Sequence, residues 1–296
     1  MAEPFLPAGV DAPDFTIAAM GRSGSTLLCN WLTHAPEWIV FMEPFFLRPG
    51  NCRLLRIQLE QIGMPVTDED WAARRDEDAR ARFARLMAPR LAGRRWALKE
   101  VLAEEHRRVI EQLRPRKLVI CVRDIADVAL SFFEKHRLQN NLDRFSDEWV
   151  VDYCLRESAA LVRLHQDALE QGLPCHVVRY EDFTRDGECR SMLESFTGWS
   201  GGGDVAASLD RYGRSFEVKR HGQAISARIL RRDERLVEDG HRRLAESVSR
   251  RCRDYQDMFG YMTELNNNLP NDETYSNYSA RCRNTDTPAP KLLANS

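Results

Sequence analysis

FTIAAMGRSGSTLLCNWLTHAPEWIVFME, residues 15–43, is the stretch of sequence that decides the fold. Its first part, Phe15 to Met20, is a short apolar run that is typical of a buried strand. The turn from Gly21 to Thr26 follows, and residues 27–34 then have the pattern of a helix. At such a turn the first backbone N–H groups of the helix lack internal partners and lie at the positive end of the helix dipole. The stretch therefore predicts an anion site.

The residues of this turn suit a phosphate group. Gly21 and Gly24 allow the backbone to close around an anion. Ser25 and Thr26 add hydroxyl donors, and Arg22 adds a fixed positive charge. The usual nucleotide-binding loop reads GxxxxGK[ST], whereas here Ser25 stands where the lysine would be and the cation comes earlier. We therefore expect a phosphate-binding turn that differs from the standard nucleotide loop.

Composition narrows the class of protein. The 296 residues are enough for one large α/β domain, and a net charge of −2 gives no bulk attraction to nucleic acid or to an anionic membrane. No apolar run approaches the ~20 residues of a membrane span, and the N-terminus lacks the pattern of a secretion signal, so a cytoplasmic location is expected. The eight cysteines and seven histidines never cluster at ligand spacing, so no metal is expected.

Strands and helices alternate along the chain. After the first strand, four further apolar runs predict strands, which end at Met42, Leu98, Val122 and Tyr180. The segments between these runs have helical patterns. This alternation predicts an α/β protein with a three-layer, P-loop-type fold, in which helices flank a central and mainly parallel sheet.

Three longer segments complete this prediction. Residues 147–170 have the pattern of one long helix, and the charged stretch 68–91 has apolar residues on what could be a single helical stripe. Residues 266–296 are polar and contain almost no core residues, which indicates a disordered tail. One domain is therefore expected over residues 1–265.

Charged side chains follow the predicted strand ends. In parallel sheets, ligands bind beyond the carboxyl ends of the strands. The residues found there are Arg22, Glu43, Lys99, Arg123 and the run Tyr180-Glu181-Asp182. Charged residues collected at one edge of an apolar sheet are a candidate site on physical grounds alone.

A second motif begins at Arg123, directly after the most apolar strand. Ser131 follows two helical turns later, so that the two side chains could hold one phosphate group. Asp124 is placed to cap the helix between them, and Lys135, one turn beyond Ser131, could add charge to the same phosphate.

These motifs resemble those of sulfotransferases that use 3′-phosphoadenosine 5′-phosphosulfate (PAPS) as donor. Arg22-Ser23-Gly24-Ser25-Thr26 is similar to the family's 5′-phosphosulfate loop, [KR]-[SA]-G-[ST]-T. Arg123 to Ser131 is similar to its 3′-phosphate motif, except that Ile125 replaces the usual proline. Val178 to Phe183, VRYEDF, is similar to a third segment, whose tyrosine, here Tyr180, lies near the nucleotide. The likeness is closer to tyrosylprotein, carbohydrate and bacterial Stf0-type enzymes than to the steroid and phenol branch.

The resemblance implies roles for individual residues. Glu43 stands at the offset from Arg22 at which the closer enzymes have a glutamate as general base, and Lys99 and Arg22 would stabilise charge at the transferring group. Donor-binding roles are implied for Arg22, Ser23, Gly24, Ser25, Thr26, Arg123, Ser131 and Tyr180, and for Lys219 in a late loop over residues 214–228. The expected acceptor is a hydroxyl, less readily an amine, of a small molecule or glycan, with no metal and no nucleic acid.

Two other functions remain open on the sequence. A P-loop kinase acting on a small molecule is one, although the lysine that normally bridges the phosphates is absent. A catalytically inactive nucleotide-binding scaffold is the other. Glu100 and His136 also lie near strand ends and are rival candidates for the general base.

Overall fold

The computed structural model describes residues 4–48, 50, 52–72, 74–138, 145–210 and 239–261. Within these residues the chain forms a five-stranded sheet in which all paired strands are parallel, in the order β2-β3-β1-β4-β5. The strands are β1 (Thr16–Ala19), β2 (Trp38–Met42), β3 (Arg95–Glu100), β4 (Leu118–Val122) and β5 (Cys175–Arg179). The α/β prediction, with helices flanking a central parallel sheet, is confirmed.

Twelve α-helices lie in the described part of the chain. They are α1 (Ser25–Leu32), α2 (Arg53–Gln61), α3 (Asp68–Trp71), α4 (Ala79–Leu86), α5 (Ala88–Leu91), α6 (Ala103–Leu113), α7 (Ile125–Leu138), α8 (Asp147–Glu170), α9 (Tyr180–Arg185), α10 (Gly187–Thr197), α11 (Asp239–Arg251) and α12 (Arg253–Phe259). None of these helices is long and apolar enough to cross a membrane.

The central strands are buried on both faces, which explains their continuous apolar sequences. On one face, Ile17 and Val119 belong to a core that includes Leu28 of α1 and Leu193 of α10. On the other face, residues of β1 and β4 pack with α7, α8, α11 and α12, and residues of β2 and β3 pack with α2, α4, α5 and α6. The sheet thus separates two layers of helices, and its carboxyl edge remains for ligands.

Several predicted boundaries differ from the structure. The stretch 68–91 contains three short helices rather than one, because the Thr67 hydroxyl caps α3 and the Asp78 carboxylate accepts the Ala81 N–H (2.7 Å) to begin α4. Strand β3 continues to Glu100, and α1 begins at Ser25, two residues earlier than predicted. Tyr180 begins α9 instead of ending a strand.

Candidate functional site

The turn between β1 and α1 has the backbone of an anion site. Gly24 is the N-cap of α1 with φ 85°, and Arg22 also lies in the left-handed region, with φ 71°. The N–H groups of Leu27 and Leu28 donate to the Gly24 carbonyl, at 3.0 and 3.3 Å. The N–H groups of Ser25 and Thr26 come before this first helical bond, so the helix offers them no acceptor.

The two glycines of the turn are required by close neighbours. A Cβ atom added to Gly24 would lie 2.1 Å from Cδ2 of Tyr180, and one added to Gly21 would lie 2.9 Å from the Tyr153 hydroxyl oxygen. The N–H of Gly21 donates to that hydroxyl at 2.8 Å. Tyr153 of α8 thus supports the turn.

The two predicted phosphate motifs meet in the folded chain. The Arg22 Nε donates to the Ser131 Oγ at 3.1 Å, and the Arg123 Nη1 donates to the Arg22 carbonyl at 3.3 Å. The Arg123 guanidinium lies 4.6 Å from the centre of the Tyr180 ring and also pairs with Asp127 (3.4 Å). Four residues chosen from sequence, Arg22, Arg123, Ser131 and Tyr180, are therefore parts of one cluster.

This cluster fits a phosphorylated ligand. Ser23 and Arg123 are both buried, and neither the Ser23 Oγ nor the Arg123 Nε has a hydrogen-bond partner among the residues that the structure describes. An orphaned donor in a dry environment has lost its water without compensation, and an anionic oxygen would restore the lost interaction. Together with the free amide end of α1, these groups favour phosphate oxygens over neutral ligands.

Glu43 and Lys99 form an ion pair at the same edge of the sheet. The Lys99 Nζ lies 2.6 Å from the Glu43 Oε1, and the Glu43 N–H donates to the Lys99 carbonyl at 2.7 Å. Lys99 is 1% exposed, whereas the Glu43 side chain is 30% exposed and can meet a ligand. Burial is the largest single influence on Lys99 and lowers its pKa. The charge of Glu43 and its hydrogen bond, together with the charges of Cys29 and Glu100, raise the pKa overall, so that the ammonium stays charged at neutral pH.

Glu100 supports the turn that carries Glu43. It is buried on the opposite face of β3 from Lys99, because successive strand residues alternate. Its Oε1 accepts the N–H of Phe45 at 3.0 Å, and Glu43 and Phe45 both have φ 47°. Burial, with the charge of Glu43 adding to it, raises the pKa of Glu100 well above its ordinary value. His106, which lies 3.0 Å from the Glu100 carbonyl, has its pKa lowered by burial to about 4.

The structure does not address every predicted residue. Lys219 and the late loop 214–228 lie outside the described residues. The rival base His136 is buried and its ring stacks on Phe145 at 3.8 Å. Within the described ranges, no group of three or more His, Cys, Asp or Glu side chains is placed to hold a metal ion.

Comparisons with solved structures show related folds. Sulfotransferase STF9 from Mycobacterium avium superimposes with a TM-score of 0.50 at 14% identity, over 86% of this chain and 78% of that one. The sulfotransferase domain of the Synechococcus PCC 7002 olefin synthase gives a TM-score of 0.51 at 16% identity, over 84% of this chain and 98% of that one. No curated protein sequence gives a match.

A family model matches most of the described sheet and its helices, and this match identifies the family. The model of the sulfotransferase family matches residues 13–194, more than half of the chain, and this range contains both phosphate motifs and the Glu43–Lys99 pair. Members of this family in general use PAPS as co-substrate. The chain therefore belongs to the sulfotransferase family and is a sulfotransferase enzyme.

Proposed function

We propose that this sulfotransferase moves the sulfuryl group of PAPS to a hydroxyl, less readily an amine, of a small molecule or glycan, with Glu43 as general base. The Glu43–Lys99 pair is the observation that carries the proposal. Lys99 lies on β3, directly beside the strand that feeds the phosphate loop, with Ile17 as its neighbour in the register. A carboxylate and a buried ammonium thus stand next to an anion site.

The proposed donor site uses the residues of the cluster described above. The amide end of α1 and the loop from Arg22 to Thr26 hold the 5′-phosphosulfate, and Arg123 with Ser131 hold the 3′-phosphate. Tyr180, which packs against both Gly24 and Arg123, lies beside the nucleotide. PAPS supplies an activated sulfuryl group on a good leaving group, the 5′-phosphate. Lys219 remains a prediction for the same site.

The Glu43–Lys99 pair has two tasks in this proposal. The Glu43 carboxylate accepts the proton of the acceptor hydroxyl as that oxygen becomes a nucleophile. Lys99 orients the carboxylate through the hydrogen bond from its Nζ to the Glu43 Oε1, at 2.6 Å. An ammonium has three donors, so Lys99 can also donate to oxygens of the transferring group and stabilise negative charge there. Glu100 is a poorer candidate for the base, because burial raises its pKa and so favours the protonated carboxyl, and its Oε1 already accepts the Phe45 N–H.

Binding and turnover assays separate this function from its alternatives. Isothermal titration should show tight binding of adenosine 3′,5′-bisphosphate without Mg²⁺ and weak binding of Mg·ATP. Labelled PAPS with a panel of hydroxyl and amine acceptors should then give a labelled product. Binding of Mg·ATP in preference to the bisphosphate would support the kinase instead, and bisphosphate binding without any turnover across the panel would support the inactive scaffold.

A further inference from the structure

Helix α12, the last helix that the structure describes, reaches back to the turn that carries Arg123. Helix α12 packs in the same core as α8, and it lies beyond the residues that the family model matches. Gly260, with φ 78°, ends the helix, and the N–H of Tyr261 donates to the Gln256 carbonyl at 2.7 Å. This helix end directs Tyr261 toward the carboxyl edge of the sheet, next to Tyr255 of the same helix, whose ring lies 6.3 Å away and nearly parallel.

The Tyr255 hydroxyl holds the backbone of Arg123 on both sides. It accepts the Arg123 N–H at 3.2 Å and donates to the Arg123 carbonyl at 3.0 Å. Both residues are buried, at 1% and 5% exposure. Arg123 follows the last residue of β4 and precedes α7, and buried backbone groups in such a junction need partners. A single tyrosine hydroxyl supplies both.

Tyr261 holds the next residue through a carboxylate. Its hydroxyl donates to the Glu181 Oε2 at 2.8 Å, and the Glu181 Oε1 accepts the Asp124 N–H at 3.0 Å. The Arg179 guanidinium packs on the face of the Tyr261 ring, 4.3 Å from its centre. Tyr255 and Tyr261 therefore restrain both residues of the Arg123-Asp124 turn, Arg123 directly and Asp124 through Glu181 of α9.

We infer that Tyr255 and Tyr261 are positioning residues that fix the Arg123-Asp124 turn and so hold the Arg123 guanidinium in place for the 3′-phosphate of the donor. The inference rests on the proposed function, because it assumes that Arg123 binds this phosphate. Its consequence is specific: α12 and Tyr261 contribute to the discrimination between nucleotides with and without a 3′-phosphate.

Replacing each tyrosine by phenylalanine tests this role, because the ring is kept and only the hydroxyl is lost. Isothermal titration well below the melting temperature should compare adenosine 3′,5′-bisphosphate with adenosine 5′-phosphate. The affinity for the bisphosphate should fall by roughly tenfold in Tyr261→Phe, which loses one buried hydrogen bond, and by at least that much in Tyr255→Phe, which loses two. The affinity for the 5′-phosphate should be unchanged in both.

Thr197→Val is the matched control. Its hydroxyl is also buried and donates to a carbonyl, that of Leu193 at 2.8 Å, but in α10 and away from the turn. This variant should lose stability and keep the ratio of the two affinities. Equal losses for both nucleotides in the tyrosine variants, or an unchanged bisphosphate affinity in them, would overturn the inference.

Arg123→Ala separates failure of the inference from failure of the proposed site. If this variant loses the preference for the bisphosphate while both tyrosine variants keep it, only the positioning role is wrong. If Arg123→Ala itself keeps the preference, Arg123 does not bind the 3′-phosphate, and the proposed donor site and the inference are both wrong.

Discussion

The side chains of Arg22 and Ser131 form a hydrogen bond, although the two residues come from different motifs. The bond of 3.1 Å brings a loop cation and a helix hydroxyl to one place, and Arg123 joins them through the Arg22 carbonyl. The identity of these residues could be predicted from sequence, because each follows a strand end at a fixed spacing. Their mutual contacts could not, since they depend on β1 and β4 being neighbours.

Arg123→Ala and Ser131→Ala are expected to weaken nucleotide binding through the 3′-phosphate. Each removes a donor worth about 1–3 kcal/mol to an anionic oxygen. Titration should show lower affinity for adenosine 3′,5′-bisphosphate and little change for adenosine 5′-phosphate. Ser158→Ala, which removes a hydroxyl bonded to the Leu155 carbonyl in α8, is the control for the serine. Equal loss of both ligands would contradict the assignment.

Glu43 and Lys99 show what residue-level reasoning from sequence misses. Each follows or ends a predicted strand and is therefore a candidate on the sequence, but the sequence does not predict that the two side chains pair. It arises because β2 lies beside β3, which places Met42 opposite Lys99 in the register. Glu100 is a rival base on the sequence, and its burial behind the Glu43 turn is visible only in the structure.

At the scale of elements, the loop before α1 depends on the absence of a side chain at Gly24. Alanine there would pay the cost of a left-handed backbone, about 1–2 kcal/mol, and would also overlap the Tyr180 ring. We expect Gly24→Ala to lower the free energy of unfolding and to weaken bisphosphate binding by roughly tenfold or more. Denaturant unfolding and titration measure the two effects.

Gly63→Ala isolates the contribution of Tyr180 to that result. Gly63 has a similar backbone, with φ 75°, but a Cβ atom there would meet nothing within 4 Å. In this variant the free energy of unfolding should fall only by the cost of the left-handed backbone, and the affinity for the nucleotide should be unchanged. Equal behaviour of the two alanine variants would show that close packing of Tyr180 on the loop does not matter.

Glu100, at the end of β3, should make the stability of the protein depend on pH. Its raised pKa means that the folded protein keeps a proton that the unfolded chain loses above about pH 4.5. The folded state then binds more protons, so this residue lowers the free energy of unfolding as pH rises from that value toward the raised pKa. Glutamine does not titrate, and the melting temperature of Glu100→Gln relative to the wild type should rise between about pH 4.5 and 7.

Glu170→Gln provides the control for that measurement, because Glu170 is exposed at the end of α8. This control shows the effect on the melting temperature of replacing one exposed carboxylate by an amide over the same range of pH. A pH dependence for Glu100→Gln no larger than that of the control would mean that Glu100 is ionised in the folded protein.

The elements were largely predictable and their arrangement was not. Short apolar runs predicted all five strands to within about two residues, since buried parallel strands need continuous apolar sequence. The order β2-β3-β1-β4-β5 is set by packing between distant segments. The division of the stretch 68–91 into short helices depends on Thr67 and Asp78, which cap the starts of α3 and α4. The spacing of the apolar residues does not reveal that these caps replace a single long helix.

For the whole molecule, the sequence predicts one domain over residues 1–265 followed by a dispensable tail, and we retain this as a proposal. Truncation after Leu265 should leave the melting temperature and nucleotide affinity unchanged, because residues 266–296 are mostly polar and contain no Ile, Val, Phe, Met or Trp. Truncation after Cys252 should lower both, since it removes Tyr255, which is 1% exposed. A large fall in melting temperature after truncation at Leu265 would contradict the proposed domain boundary.

Any substitution at Glu43 breaks the ion pair with Lys99 as well as removing the proposed base. Glu43→Gln leaves the buried Lys99 without its charged partner, so thermal stability should fall whatever the role of Glu43. The double variant Glu43→Gln, Lys99→Met removes both charges and should recover part of that stability without recovering activity. Stability is therefore no test of the catalytic role, whereas turnover and its pH dependence are.

The most direct test of the account is the pH–rate profile of Glu43→Gln with saturating PAPS and an identified acceptor. If Glu43 is the general base, kcat should fall by about 10²–10⁴-fold and the acidic limb of the profile should disappear. The affinity for adenosine 3′,5′-bisphosphate, measured well below the melting temperature, should be nearly unchanged. Residual activity that keeps the acidic limb, or activity that survives Glu43→Gln and is lost in Glu100→Gln or His136→Gln, would contradict the account.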